Sequence, residues 1–231
     1  MRVLVAGPIG AVGRNLLPRL VAAGHEVVGT TRSEEKAGVI RRLGGASDLR
    51  NFDRTFALTN RLRTEGTDYL LSGARELGVK RFIAQSFCGW PYAKVGGTVK
   101  SEEDPPDTRP ARQSRRSLEA IRHVETAVTQ ATGMGGVVVR YGVFYRPGTG
   151  MFEDAFVEQI VRRRVPLVGG GTGWWSFVDV EDAAIATVLA IDPRPGREHL
   201  QYRRRRTGTG ARVGAAARRD ARGEEIGRAH V

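Results

Sequence analysis

Apolar and polar positions along the chain predict strands that are followed by helices. The first strand pattern is the apolar run RVLVA, and the helical pattern AVGRNLLPRLVAAG comes after it. A second strand pattern, HEVVGTTR, ends at residue 32. Together they predict a strand–helix–strand unit over residues 2–32, which joins two parallel strands and indicates an α/β fold.

The same kind of pattern continues to about residue 195 and predicts one doubly wound parallel sheet. The later strand patterns are RFIAQSF, GVVVRYGVFY and the two ends of VPLVGGGTGWWSFVDV, and the later helical patterns are SRRSLEAIRHVETAVTQATG, FEDAFVEQIVRRR and EDAAIATVLAI. The alternation fails once, because the helical patterns of residues 34–43 and 52–77 follow each other without a strand pattern between them. Parallel neighbours are joined by a strand, a helix and a strand, so the sheet is expected to lack strands near residues 45–51.

Half of the net charge is confined to the end of the chain. The 231 residues carry a net charge of +12, and residues 197–231 hold ten arginines against four acidic residues. Such a basic tail can neutralise nucleic-acid phosphates. Its Arg, Gly and Ala composition, with few large apolar residues, instead favours a disordered or frame-shifted tail over residues 201–231, so we expect no nucleic-acid partner.

The remaining composition narrows the class of protein. Cys88 is the only cysteine, which excludes a disulfide framework and a thiolate metal cluster, and no His, Asp or Glu cluster has metal-ligand spacing. No apolar run approaches the roughly 18 residues of a membrane span, and no apolar leader precedes the first strand pattern. We therefore expect a cytoplasmic protein without a metal site or a membrane partner, and we leave a homodimer open.

Three glycines between the first strand and the first helix form the clearest candidate site. Gly7, Gly10 and Gly13 have the spacing G-x-x-G-x-x-G. A tight turn there lets the backbone approach a pyrophosphate, and the start of the helix at Ala11 and Val12 offers free N–H groups to that anion. This context predicts dinucleotide binding, and the alternative is a purely structural glycine turn.

The end of the second strand predicts the form of the cofactor. A carboxylate at this position would accept hydrogen bonds from a ribose 2′-hydroxyl, whereas Thr31 and Arg32 suit a 2′-phosphate. NADP is therefore expected rather than NAD. The alternative is that Arg32 is an ordinary exposed arginine, with Ser33 starting the next helix as its N-cap.

Four segments resemble the NAD-dependent epimerase/dehydratase branch of the extended short-chain dehydrogenase/reductase superfamily. They are VLVAGPIGAVG, NRLRTEGTDYLLSGARELGVKRFIAQS, RYGVFYRPGTG and WSFVDVEDAAIATV, and they occur in the order of the family. The resemblance implies a Rossmann-like NAD(P)-binding domain over residues 1–200, with substrate-side elements within residues 142–180. It also implies that the third and fourth strands of the family are missing, so that either the first strand closes against the RFIAQSF strand or the gene product is damaged.

The resemblance assigns roles to individual residues. Ser86 matches the active-site serine of the family, which would hydrogen-bond a substrate oxygen. Tyr141 begins the segment that runs past the nicotinamide, and the three glycines match the nucleotide loop, with Pro8 in place of the usual small residue. These residues are the expected cofactor and substrate contacts.

The catalytic motif of the family, Tyr-x-x-x-Lys, occurs nowhere in the chain. Matching a later glutamate of the family to Glu125 puts Ser117 and Ile121 at the tyrosine and lysine positions. Tyr92 is the nearest candidate to replace the missing acid, and the alternative for this aromatic residue is packing or substrate contact.

Two functions are consistent with the sequence. One is an atypical NAD(P)-dependent oxidoreductase or epimerase that acts on a small molecule or a nucleotide sugar. The other is a non-catalytic NADP(H)-binding sensor or interaction protein, or a defective gene fragment, which the absent tyrosine and lysine favour. Turnover of NADPH distinguishes the enzyme from the sensor.

Overall fold

A computed structural model of the chain describes residues 1–30, 56–88, 91–93, 95–97, 99–147, 149–150, 152, 154–165, 174–191, 199–202 and 207–209. Several sequence predictions fall elsewhere. Thr31 and Arg32, the helix expected over residues 34–43 and the stretch 45–51 in which strands are expected to be missing all lie outside the described residues.

As far as residue 191, the described elements follow the order that the sequence pattern predicts, apart from a short additional strand at residues 149–150 and a division within GVVVRYGVFY. The strands are β1 (Arg2–Ala6), β2 (Glu26–Thr30), β3 (Arg81–Phe87), β4 (Gly135–Tyr141), β5 (Val143–Arg146), β6 (Thr149–Gly150), β7 (Trp174–Asp179), β8 (His199–Tyr202) and β9 (Thr207–Thr209). The helices are α1 (Ala11–Ala22), α2 (Ala57–Arg61), α3 (Thr67–Glu76), α4 (Arg115–Thr129), α5 (Asp154–Val161) and α6 (Val180–Ile191). A π-helical turn over Leu62–Gly66 joins α2 to α3, so the helical pattern predicted over residues 52–77 is confirmed where the structure describes it.

The strands form three groups within the described residues. β1 pairs with β2 in parallel, β4 lies in parallel between β3 and β8, and the remaining strands have the order β6-β5-β7-β9. The parallel pairs with helices between them give the Rossmann-like α/β fold that the sequence predicts. In the part of the chain that is described, no ladder joins β1 to β3, so the expected closure of the first strand against the RFIAQSF strand is not found there.

The segment GVVVRYGVFY is two strands rather than the single strand that its apolar run predicts. β4 ends at Tyr141, and β5 begins at Val143 and pairs with β7 instead of β3. A Cβ atom on Gly142 would lie 2.5 Å from the carbonyl oxygen of Ser176, so only glycine admits this close approach of β7. The chain therefore passes from the central sheet to the substrate-side sheet at Gly142.

β4 is covered on both faces, which explains why its sequence is continuously apolar. Val137 and Tyr141 face α6 in one core cluster, and Val138 faces α4 in another. Each of these side chains is at most 2% exposed. Burial of an apolar side chain of this size stabilises the fold by about 1.5–3 kcal/mol, so β4 and its two helices are the centre of stability.

Helix α6 also connects the glycine-loop unit to the rest of the domain. Ala184 of α6 packs against Val5 of β1 and against Leu16 and Leu20 of α1. Among the described helices, none is long and apolar enough to cross a membrane. Near the expected tail boundary at residue 201, β8 runs to Tyr202 beside β4, and Thr207–Thr209 pair with β7. The boundary itself stays a prediction.

Candidate functional site

The turn between β1 and α1 has a backbone conformation that requires glycine. Gly7 has a φ of +84°, and the Gly10 N–H donates a hydrogen bond of 3.1 Å to the Gly7 carbonyl oxygen. A Cβ atom on Gly13 would lie 2.4 Å from that same oxygen and 2.6 Å from the carbonyl oxygen of Pro8. The first turn of α1 is therefore pressed directly against the loop, with no room for a side chain at Gly13.

The start of α1 fits the pyrophosphate of a dinucleotide. Helix α1 begins at Ala11, its N-cap is Gly10, and no side chain caps it. The N–H groups of Ala11, Val12 and Gly13 lie in the first turn, which leaves them without partners inside the helix. Free N–H groups at the positive end of a helix dipole bind anions, so these residues can hold the dinucleotide that the motif predicts.

Pro8, which replaces a small residue of the family, is accommodated by the neighbouring strand. A Cβ atom on Gly29 of β2 would lie 3.0 Å from Pro8 Cγ. The proline ring therefore packs on the backbone of β2 at a position that carries no side chain. This packing lets the loop keep the glycine-dependent conformation despite the substitution.

A largely buried ion pair between Arg140 and Glu125 lies next to Ser86, near the end of β3. The Arg140 guanidinium donates to both carboxylate oxygens of Glu125, from Nε at 2.9 Å and from Nη2 at 2.7 Å. The Ser86 hydroxyl donates to Glu125 Oε1 at 2.6 Å, and Ser86 is 1% exposed. Two-point pairing of this kind fixes both side chains, so Glu125 and Arg140 hold Ser86 in one orientation.

Tyr92 is attached to the same group through Arg140. The Arg140 Nη1 atom lies 3.4 Å from the Tyr92 hydroxyl, and the guanidinium lies 5.7 Å from the centre of the tyrosine ring. Burial raises the pKa of Tyr92 to about 12, although the charge and the hydrogen bond of Arg140 oppose the shift. The hydroxyl is therefore neutral near pH 7 and suits hydrogen-bond donation better than proton abstraction.

The negative charge of Glu125 favours the protonated form of two neighbouring arginines, Arg140 and Arg63. Burial lowers the pKa of Arg140, but the hydrogen bond and the charge of Glu125 outweigh burial and raise it overall. Burial lowers the pKa of Arg63, in the π-helical turn, to about 10, and the charge of Glu125 opposes this shift. Both guanidinium groups remain charged at neutral pH, and Arg140 is the one that contacts the carboxylate directly.

The position matched to the tyrosine of the family is occupied by a buried polar contact. The Asn60 Nδ2 atom donates to Ser117 Oγ at 3.0 Å, and Ser117 is 1% exposed. Ile121, matched to the lysine, is 2% exposed. The matching of these two residues to the catalytic pair of the family stays a prediction from the sequence.

The structure places the remaining predicted residues as follows. The Tyr141 hydroxyl donates to the Ala183 carbonyl oxygen at 2.7 Å and lies 2.6 Å from Thr187 Oγ1, so this side chain holds α6 against β4. The predicted contacts of Tyr141 with a cofactor and of Ser86 with a substrate stay predictions. Asp179 accepts a hydrogen bond of 2.8 Å from the N–H of Glu181 at the start of α6 and so caps this helix.

Removal of the Tyr92 hydroxyl should flatten the loss of stability at high pH. The folded chain keeps the phenol proton up to a pKa of about 12, whereas an unfolded tyrosine loses it near 10. Between these values the unfolded state binds fewer protons, so the free energy of unfolding falls as pH rises, by up to about 2–3 kcal/mol. Denaturant unfolding of the wild type and Tyr92→Phe between these pH values measures the difference.

Tyr69→Phe is the matched control for this experiment, because Tyr69 is 77% exposed. It should keep the slope of the wild type. Equal slopes for the wild type and Tyr92→Phe would show that the Tyr92 phenol titrates like an exposed tyrosine.

From the sequence, Glu125 served only as the reference residue for locating the tyrosine and lysine positions of the family. Neither Arg140 nor Asn60 was predicted to belong to the site. The available signal was weak. Arg140 is a single charge within the apolar strand pattern GVVVRYGVFY, and a charge buried in a strand requires a partner. That partner lies 15 residues away on α4, so it becomes visible only when the strand and the helix pack together.

Known proteins are similar to this chain over most of its length. A model of the NAD dependent epimerase/dehydratase family matches residues 38–201. A 3-diazoavenalumate denitrifying reductase from a Streptomyces species is 33% identical over 83% of this chain and 72% of its own length. A 4-hydroxy-2-methyl-3-oxo-4-farnesyl-3,4-dihydroquinoline-1-oxide ketoreductase from Stigmatella aurantiaca is 27% identical over 86% of this chain, which spans 66% of that protein.

Solved structures agree with the fold. The UDP-glucose 4-epimerase of Thermus thermophilus, in complex with NAD, superimposes with a TM-score of 0.67 at 24% identity, over 97% of this chain and 84% of that one. An NAD-dependent NDP-hexosamine 5,6-dehydratase of tunicamycin biosynthesis has a TM-score of 0.68 at 19% identity, over 97% and 83% of the two chains. At these identities the likeness shows the Rossmann-like fold.

Proposed function

Because the chain belongs to the NAD-dependent epimerase/dehydratase family, we propose that it is an NADP(H)-binding reductase of small molecules. The glycine loop carries this proposal. At Gly13 the first turn of α1 is in direct contact with the loop, and no side chain caps the helix, so its first N–H groups are free to bind a pyrophosphate. The cytoplasm, where NADPH is available, is the location that we propose.

The relatives favour a reductase of small substrates over an enzyme of nucleotide sugars. The two curated relatives that cover most of this chain are a reductase and a ketoreductase, at 33% and 27% identity. The nucleotide-sugar epimerase and dehydratase are at most 24% identical, a level at which fold is shared more widely than substrate. We therefore choose a small substrate because the reductases are more similar in sequence to this chain than the nucleotide-sugar enzymes are.

The side chains of the site have distinct tasks in this proposal. The first turn of α1 holds the pyrophosphate, and Arg32 holds the 2′-phosphate. A bound nicotinamide would supply the hydride, and the proton that the reduced substrate oxygen takes up would come from water. Tyr92 remains neutral and donates a hydrogen bond to a substrate oxygen, and Arg140 orients it. Glu125 keeps Arg140 in place at 2.7 Å.

Titration with NADPH and NADH during thermal unfolding tests the proposal. A ligand that binds the folded chain raises its melting temperature by mass action, so both cofactors should raise it and NADPH should raise it more. Arg32→Gln should weaken NADPH about tenfold and leave NADH unchanged, because one charge-assisted contact with the 2′-phosphate is lost.

Arg75→Gln makes the same change of charge at the end of α3 and serves as the control. It should leave both affinities unchanged. No shift with either cofactor would overturn the proposal, and a larger shift with NADH would overturn the role of Arg32.

A non-catalytic NADP(H)-binding sensor is the second candidate function. The observation in its favour is that Ser117 and Ile121 occupy the positions matched to the catalytic tyrosine and lysine of the family. A sensor binds NADPH as tightly as the reductase does but does not oxidise it when supplied with aldehydes, ketones or quinones. Loss of NADPH absorbance in that panel therefore separates the two functions.

A further inference from the structure

A cleft lies between α4 and the segment that carries Tyr92, Asp104 and Pro106. We call it the α4 cleft. Its apolar walls are formed by Pro91, the Tyr92 ring, Pro106, Leu118 and Ile121. Its polar walls are formed by Asp104, Arg122, Glu125, Thr126 and Arg140.

The volume of the α4 cleft limits the size of its ligand. The volume is about 160 Å³. A cavity of roughly 150 Å³ holds a benzene molecule, whereas pockets for drug-sized ligands are about 300–1,000 Å³. The α4 cleft therefore matches one ring with a small substituent, and it is too small for a nucleotide sugar.

The charges of the α4 cleft favour an anion. Arg140 is neutralised by Glu125 at 2.7 Å, and Asp104 is paired with Lys100 at 3.6 Å. Arg122 has no carboxylate within 4.0 Å among the described residues. Among the charged groups of the wall, Arg122 is therefore the one without an oppositely charged partner in the described structure, and a ligand carboxylate is the group that would balance it.

The hydrogen bonds of Arg122 support the same conclusion. Its Nη2 atom donates to the Asp107 carbonyl oxygen at 2.7 Å, which fixes the guanidinium at the wall of the cleft. Its Nε atom is buried and has no hydrogen-bond partner in the described structure. Because this N–H has no accessible surface, it is not a contact for a ligand; what Arg122 offers to an anion is the charge of a guanidinium held in place at the wall.

The α4 cleft reaches the expected catalytic region. Ile121 lines it and is the residue matched to the lysine of the family, and Tyr92 on the opposite wall is the candidate hydrogen-bond donor. We propose that the α4 cleft binds a small organic carboxylate of about one ring, held by Arg122 and by the apolar walls. This proposal rests on the proposed reductase function, and it names the substrate class of that site.

Calorimetric titration of the full chain with benzoate, benzamide and UDP-glucose tests the proposal. Benzoate and benzamide have nearly the same shape but differ in charge. The wild type should bind benzoate at least tenfold more tightly than benzamide, because a hydrogen bond to a charged group is stronger than one between neutral groups. Arg122→Gln should remove this preference, and UDP-glucose should not compete with benzoate.

Arg115→Gln is the matched control, because Arg115 lies exposed at the start of the same helix. It should keep the preference for benzoate. A second measurement needs no variant, since the preference of the wild type should persist at high salt if the anion is bound in the cleft rather than on the surface.

Two results would overturn the proposal, namely equal binding of benzoate and benzamide by the wild type, or competition by UDP-glucose. Failure of the proposed reductase function is a separate outcome. NADPH titrated into the same samples reports on the glycine loop, so cofactor binding without benzoate binding rejects only the carboxylate site. Benzoate binding without cofactor binding rejects only the reductase.

Discussion

Gly13→Ala should abolish cofactor binding, with at least a hundredfold loss of NADPH affinity. The new Cβ atom would lie 2.4 Å from the Gly7 carbonyl oxygen and 2.6 Å from that of Pro8. Both contacts are with backbone, so the loop or the first turn of α1 must move away. The movement displaces the N–H groups that hold the pyrophosphate and lowers the free energy of unfolding by about 1–3 kcal/mol. Calorimetric titration and denaturant unfolding measure the two effects.

Gly73→Ala in α3 is the control that separates the effect of the substitution in the loop from the general effect of replacing a glycine by alanine. A Cβ atom on Gly73 has nothing within 4 Å. Alanine is favoured over glycine in a helix by about 0.5–1 kcal/mol, so this variant should be as stable as the wild type or more stable, with unchanged affinity. NADPH affinity of Gly13→Ala within twofold of the wild type would reject the role of the glycine loop.

Glu125→Gln should lower the free energy of unfolding by about 3 kcal/mol. The variant leaves Arg140 charged and without its partner at 2.7 Å, while the two side chains are only 15% and 17% exposed. Removal of one member of a buried pair is costly because the remaining charge stays desolvated. Ser86 also loses a charged acceptor at 2.6 Å. Urea unfolding at neutral pH measures the change.

Glu65→Gln provides the control for an exposed pair. Glu65 lies 2.9 Å from Arg61, and the side chains are 53% and 70% exposed. Its loss should leave the free energy of unfolding nearly unchanged, because solvent screens an exposed ion pair. A double-mutant cycle of Glu125→Gln with Arg140→Gln should show a coupling of at least about 1 kcal/mol, and additive effects would show that the two residues act independently.

The sequence predicted the glycine loop well because every requirement of this loop is local. The turn, the free helix terminus and the glycine spacing all lie within residues 6–13, and the structure gives Gly7 a positive φ and Gly13 a direct backbone contact. The strand β3 and the helices α1, α4 and α6 were predicted for the same reason, since periodicity along the chain reflects which face of each element is buried.

The division of GVVVRYGVFY was not predicted, because an apolar run does not show where a strand changes its partner. The change occurs at Gly142, where the carbonyl oxygen of Ser176 comes within 2.5 Å of a hypothetical Cβ atom. Ser176 is far away in the sequence. Only the packing of β7 against this point shows that glycine is required there.

The sequence by itself determined the family, the fold class and the conformation of the glycine loop, because these depend on patterns between residues that are close along the chain. The tertiary structure decided how the residues of the site are grouped. Glu125, Arg140 and Tyr92 come from a helix, a strand and a connecting segment, and they meet through hydrogen bonds and charge. Desolvation in that packed arrangement raises the pKa of Tyr92 to about 12 and so extends the pH range in which its hydroxyl is a neutral donor.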